Sequence, residues 1–247
     1  MYIKTDGIII KEQTIGESDR LVTILTRKEG VIRAFARKAK SLKDSKSAST
    51  GLLAYSDFSI FKGKDKYIID SAELKEVFFN LRNDIVKLSL AQYFCELSFL
   101  LVPEETDSEE YLRIVLNSLH FLSESKKPPL MLKAVTELRM LAISGYMPDL
   151  IACKGCSCYE NEVMYFVPST AAIYCKDCFN LGDAPSVKLS PGALTAMRHI
   201  CYVDFPRLYS FSIPDEALKE LSEATERYLV QVLGRIPQTL DFYKMIV

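Results

Sequence analysis

The sequence predicts an α+β protein of several domains: a small N-terminal β-barrel, then an α-helical domain carrying an inserted four-cysteine metal module. Three observations predict it. Short β-rich runs broken by glycine turns fill residues 7–76. From about residue 80 the apolar period lengthens to that of helices. Two Cys-x-x-Cys pairs stand close together late in the chain. The implied boundaries are 1–79 for the barrel, 80–149 and 183–247 for the two parts of the helical domain, and 150–182 for the metal module.

Five strands are expected in the first module. Gly7–Ile10 opens the first, Leu21–Leu25 follows the turn-like Gly16-Glu17-Ser18-Asp19, and Val31–Ala36 follows Glu29-Gly30. Tyr55–Phe61 and Tyr67–Asp70 flank Lys62-Gly63-Lys64. Five strands in about 75 residues fit an OB-fold by count and size, although strand count alone also allows other small barrels or sandwiches. Between the third and fourth strands, Arg37–Thr50 is polar, basic and serine-rich, and reads as a long surface loop.

The helices follow from spacing. Ile85, Leu88, Gln92, Cys95 and Phe99 recur every three or four residues, as do Leu112, Val115, Leu119 and Leu122, and then Met131, Val135, Leu138 and Ala142. The first of these segments is apolar almost all round and is expected at the centre of a bundle. Pro103, Pro128-Pro129 and Gly145–Pro148 are breaks. Ser190-Pro191 reads as an N-cap with proline at the first helical position, and Gly234 as the C-cap of a helix with the stripe Leu218, Leu221, Thr225, Tyr228, Val232.

Cys153-x2-Cys156 and Cys175-x2-Cys178 are separated by 18 residues. Each pair presents two thiols from one tight turn, and two such turns can complete a tetrahedron around one ion. Four thiolates suit Zn2+, and four protein sulfurs leave no open position, so the expected role is structural. Val163–Val167 reads as part of the hairpin of a zinc ribbon. Cys158 is a possible substitute ligand or a free thiol, and Cys95 and Cys201 fall on helical stripes as core residues.

Net charge is −1, but its distribution is uneven. Residues 27–46 hold eight basic side chains against two acidic ones. Arg20, Arg27, Lys28, Arg33, Arg37, Lys38, Lys40, Lys43 and Lys46 are the candidate phosphate contacts, with Phe35, Tyr55, Phe58 and Tyr67 as candidate stacking residues. In so small a barrel most of those aromatics belong to the core. No phosphate-binding glycine loop, zinc-hydrolase motif or nucleophile elbow occurs. Neither His120 nor His199 sits in an acid–base constellation, so an enzyme is not expected. No run of about 18 apolar residues suggests a membrane span, and the N-terminus lacks the features of a signal peptide; a cytoplasmic protein is expected.

Three stretches resemble the RecO family of bacterial recombination mediators. They are GIIIKEQTIGESDRLVTILTRKEGVIRAFARKAKS at 7–41, the four-cysteine segment, and ERYLVQVLGRIPQTLDFYKMI at 226–246. The resemblance implies an N-terminal OB-fold, a helical domain and a zinc module. It implies a nucleoid-associated protein that binds single-stranded and double-stranded DNA and anneals complementary strands. With RecR, such a protein helps the recombinase RecA displace single-strand-binding protein, whose acidic tail some members contact. Arg33, Arg37, Lys38, Lys40 and Lys43 match the family's DNA-binding stretch, and Cys153, Cys156, Cys175 and Cys178 its zinc ligands. Lys38 stands where the family commonly has glycine, and Ser169–Ile173 lacks the usual glycines. For the acidic tail, Lys126, Lys127, Lys133 and Arg139 are the candidate cations. The residues read alone also allow an RNA-binding OB-fold and zinc-ribbon protein, a zinc hydrolase if the metal kept an open position, or a protein scaffold.

Overall fold

The computed structural model describes residues 1–39, 46–64, 66–180 and 184–247. The chain divides into two compact units, one of Met1–Lys126 with Thr239–Val247, the other of Lys127–Gln238.

The first unit is built on a closed five-stranded barrel: β1 (Tyr2–Ile15), β2 (Asp19–Thr26), β3 (Val31–Ala36), β4 (Ala54–Lys62) and β5 (Tyr67–Val77), in the order β1-β2-β3-β5-β4. β1 pairs with both β2 and β4 and so closes the sheet; only β3 and β5 run parallel. This is the barrel of an OB-fold. Alternation decides the inside. Val22 and Ile24 on β2, Ile32, Ala34 and Ala36 on β3, and Phe58 and Ile60 on β4 share one buried cluster. The small alanines of β3 fit the narrow interior of a five-stranded barrel. Gly30 ends the β2–β3 turn at φ 66°, and a Cβ there would lie 1.9 Å from the Pro103 carbonyl oxygen, so only glycine fits.

Within Arg37–Thr50, expected as a loop throughout, Lys46–Ser49 forms a short helix α1. α2 (Ile85–Leu101) is capped by the Asp84 carboxylate, which accepts from the N–H groups of Val86 and Lys87. It is not the centre of a helical bundle. It packs against β1 and α3 (Glu109–Ser123), and the residues at the two ends of its expected stripe, Ile85 and Phe99, are 60% and 45% exposed. Leu90, Phe94, Leu97 and Leu101 are buried, together with Cys95 from the middle of the expected stripe. An apolar residue on every face left periodicity unable to choose the buried one. α7 (Gln238–Ile246) returns to this unit, where the Glu96 carboxylate accepts from the Thr239 N–H.

The second unit holds α4 (Pro129–Ile143), a three-stranded sheet of β6 (Met164–Val167), β7 (Ala172–Cys175) and β8 (Val187–Leu189), α5 (Pro191–Tyr202) and α6 (Asp215–Leu233). The Ser190 cap is present, its hydroxyl accepting from the Ala193 N–H, and Gly234 ends α6 at φ 67°. Inside this unit Lys133 is 1% exposed, with Nζ 2.9 Å from both Glu137 Oε1 and Glu226 Oε2. Arg139 donates to the carbonyls of Ile200, Cys201 and Val203 at the end of α5. These two cations, expected on a partner-facing surface, are therefore committed to holding the unit together. Lys126 is exposed and Lys127 half-buried. No helix of the described residues is long and apolar enough to cross a membrane.

Candidate nucleic-acid interface and metal centre

The nine basic residues of the N-terminal module divide by place. Two are tied into the barrel. Arg20 reaches across a barrel end, donating to the Ser47 carbonyl at 2.9 Å, with Glu12 3.8 Å away. Arg27 forms a bidentate pair with Asp6 and a second pair with Glu109 at 3.0 Å.

Three lie together on the outside. Because Ile32, Ala34 and Ala36 face inward, Arg33, Phe35 and Arg37 follow one another on the outward side of β3. Arg33 and Arg37 are exposed and Phe35 is half-buried. The Arg33 guanidinium stands 5.6 Å from the ring centre of Phe99. Lys38, also exposed, turns the chain at φ 57°, and its N–H donates to Asp19 Oδ1 at 2.9 Å. That left-handed conformation suits glycine better than lysine.

Lys28 is exposed at the opposite end of the β2–β3 hairpin, and Lys46 is half-buried in α1. Lys40 and Lys43 lie outside the described residues. Among the candidate stacking aromatics, Phe58 is in the core at 3% exposure and Tyr55 donates its hydroxyl to Asp6. Tyr67 is half-buried beneath Lys62, whose Nζ is 5.5 Å from its ring centre.

The four cysteines converge. The sulfurs of Cys153, Cys156, Cys175 and Cys178 all lie within 4.8 Å of one another. The Cys156–Cys175 separation is 3.7 Å, close to the tetrahedral edge of about 3.8 Å that follows from metal–sulfur bonds of about 2.3 Å. Local folding makes this possible. The N–H groups of Cys175 and Gly155 donate to Cys153 Sγ at 3.2 and 3.4 Å. Burial opposes the Cys153 thiolate, but the backbone donors of Cys175, Cys156 and Gly155 outweigh it and bring its pKa down to about 6. A Cβ at Gly155 would stand 2.8 Å from Cys178 Cβ and 2.9 Å from its sulfur, so the second turn seats directly on the first. The donor set, spacing and thiolate stabilisation fit a metal ion held by four sulfurs. Cys158 lies outside this tetrad. Its carbonyl accepts from the Cys153 N–H at 2.8 Å, which folds the end of the first turn back over its start.

Two features of this module escaped the sequence reading. β7 forms the expected hairpin with β6, Met164 opposite Cys175, but β8, which pairs with the other edge of β6 and sets Leu189 opposite Met164, was not foreseen. Arg198 of α5 clamps the segment before and after the first cysteine pair, donating to the carbonyls of Leu150, Ile151 and Tyr159 at 2.7, 3.0 and 2.8 Å. Its guanidinium lies 4.0 Å from the ring centre of Tyr159. A lone arginine in a helix carries no sequence signal for such a role.

A closed barrel, a helical domain and a four-thiol centre together define an OB-fold protein with a metal-binding module. Comparison with known families agrees. Residues 1–78 match the model described as "Recombination protein O N terminal", and residues 82–241 match "Recombination protein O C terminal". The chain is similar to a protein of Acetivibrio thermocellus named DNA repair protein RecO, with 35% identity over 245 residues covering 99% of this chain and 97% of that one. It is 31% identical to a protein of the same name from Symbiobacterium thermophilum, over 96% of this chain and 94% of the relative. The chain belongs to the RecO family.

Proposed function

We infer that this chain is a non-enzymatic mediator of DNA repair and recombination that binds single-stranded and double-stranded DNA through its barrel and anneals complementary strands. The observation that carries this reading is the outward succession Arg33, Phe35, Arg37, Lys38 on β3 and the turn after it. Cations there can follow phosphates while the ring accepts a base. Annealing needs no bond chemistry. Neutralising phosphates on two strands lowers their repulsion and raises their local concentration.

Family membership supports the wider role. Together with RecR, the protein helps RecA onto strands coated by single-strand-binding protein, whose acidic tail is a further contact. It acts in the bacterial cytoplasm, on nucleoid DNA. The ion of the four-thiol centre is zinc, held by Cys153, Cys156, Cys175 and Cys178, and it fixes the fold of the module without taking part in a reaction.

The test is a salt titration of oligonucleotide affinity. Charge reversal at Arg37, Lys38 and Lys40 should weaken binding to all sequences alike and flatten the salt dependence, since each lost phosphate contact removes a slope of about 0.7 on single strands. Unchanged affinity in the triple variant refutes the assignment. A matched RNA competitor that displaces DNA at equal concentration would turn the reading towards RNA.

A further inference from the structure

The strand register extends the outer face of the barrel well beyond β3. Leu21 pairs with Phe35, Phe35 with Ile68, Ile68 with Phe61, and Phe61 with Tyr2. Ile60 and Ile69, the neighbours of Phe61 and Ile68, are core residues, so this row points outward. It takes one apolar side chain from each of the five strands. Leu21, Phe35 and Ile68 are half-buried, whereas Phe61 is 38% and Tyr2 61% exposed. The Tyr2 and Phe61 rings meet edge to face, 5.4 Å between centres and 63° between planes.

Positive charge lies beside Phe35 and beside the Tyr2–Phe61 end of the row. Arg33 on β3 and Arg37 just past its end flank Phe35. At the Tyr2–Phe61 end, Lys64 and Lys66 are exposed in the β4–β5 turn, and Lys4 is exposed two residues along β1 from Tyr2. Lys62, the last residue of β4, is paired with Glu105 at 2.7 Å. An apolar row with two exposed rings, Tyr2 and Phe61, and cations on either side matches the chemistry of an unpaired polynucleotide, which offers both free base faces and phosphates. A duplex keeps its bases stacked inside and cannot use the rings.

We propose that this row is the base-stacking track of a single DNA strand, with Tyr2 and Phe61 holding bases at the end remote from the arginines and the exposed Lys4, Lys64 and Lys66 following phosphates. The proposal rests on the reading of the barrel as DNA-binding. Three strand spacings separate Phe35 from Tyr2, roughly 14 Å, room for up to about four nucleotides at roughly 3.4 Å each.

The test compares Tyr2→Ala/Phe61→Ala with wild type on two fluorescent probes, an oligo-dT and a duplex of equal length, at one salt concentration. Neither side chain is in the core, and a thermal melt checks that the variant is folded. Affinity for oligo-dT should fall at least about fivefold, affinity for duplex should stay unchanged, and Phe61→Trp should bind oligo-dT at least as well as wild type. An equal fall on both probes, or none on oligo-dT, overturns the track. If wild type binds both probes and the double variant matches it, the track alone fails. If wild type binds neither probe, the reading of the barrel fails with it.

Discussion

Arg27 holds Asp6 through two parallel hydrogen bonds, Nε to Oδ1 and Nη2 to Oδ2, both 2.7 Å long. The pair joins the first half of β1 to the residue just past β2, and the Tyr55 hydroxyl donates to the same carboxylate. Arg27 lies inside the densest basic stretch of the sequence, yet its charge is satisfied within the protein. Burial alone would raise the Asp6 pKa, but Arg27 and Tyr55 outweigh it and hold the carboxyl at about 2, below its ordinary 3.8.

The pH consequence follows from that direction. A depressed carboxyl pKa stabilises the fold above the unfolded value near 4, and the contribution is lost as pH falls through about 2. Its size is about 2 kcal/mol. In urea melts, Asp6→Asn should be less stable than wild type at pH 7, and the gap should close between pH 4 and pH 2. A gap that is constant with pH contradicts the ion-pair account.

The buried Lys133 predicts a larger effect. Burial disfavours its ammonium, but Glu137 and Glu226 overcome that and raise its pKa. Lys133→Met would strand the Glu137 carboxylate, which is fully buried and also accepts from the Thr225 hydroxyl at 2.6 Å. The expected loss is about 3–5 kcal/mol in denaturant melts. Lys133→Met/Glu137→Met should recover part of it. A single variant as stable as wild type would show that the cluster contributes little.

At the metal centre, Gly155→Ala should weaken metal retention, because its new Cβ would press on Cys178. Competition with a chromophoric chelator should strip the metal from this variant at lower chelator concentration than from wild type. Equal retention would mean that the two turns can part without cost to the site.

Arg198→Lys should loosen the same module from a different side. Lysine cannot reproduce a planar fork that serves three carbonyls and stacks on Tyr159. Limited proteolysis should cut residues 150–160 faster in the variant, with the barrel untouched. Unaltered cleavage would contradict the clamp.

Much of this architecture was legible beforehand where local chemistry acts alone. β3 begins and ends where alternation places it, the Ser190 and Gly234 caps are in position, and the four cysteines meet as their spacing requires. β1 and β5 run longer than their apolar cores, to Ile15 and Val77, because their outer halves are exposed and bulges at Ile9/Lys11 and Ser59/Ile60 break the alternation. The partners of Arg27, Lys133 and Arg198 were invisible, since a charged residue in sequence looks the same whether it faces solvent or a carboxylate brought from a distant element. The row from Leu21 to Tyr2 was equally hidden, because it exists only once five strands have taken their register.

The most direct measurement of the central claim is strand annealing, followed by fluorescence with two complementary oligonucleotides, with and without single-strand-binding protein. Wild type should accelerate annealing well above the spontaneous rate, and charge reversal at Arg37 and Lys38 should return it towards that rate while leaving the melting temperature unchanged. Annealing no faster than the spontaneous rate, or a charge-reversed variant as active as wild type, would contradict the assignment of the barrel's outer face.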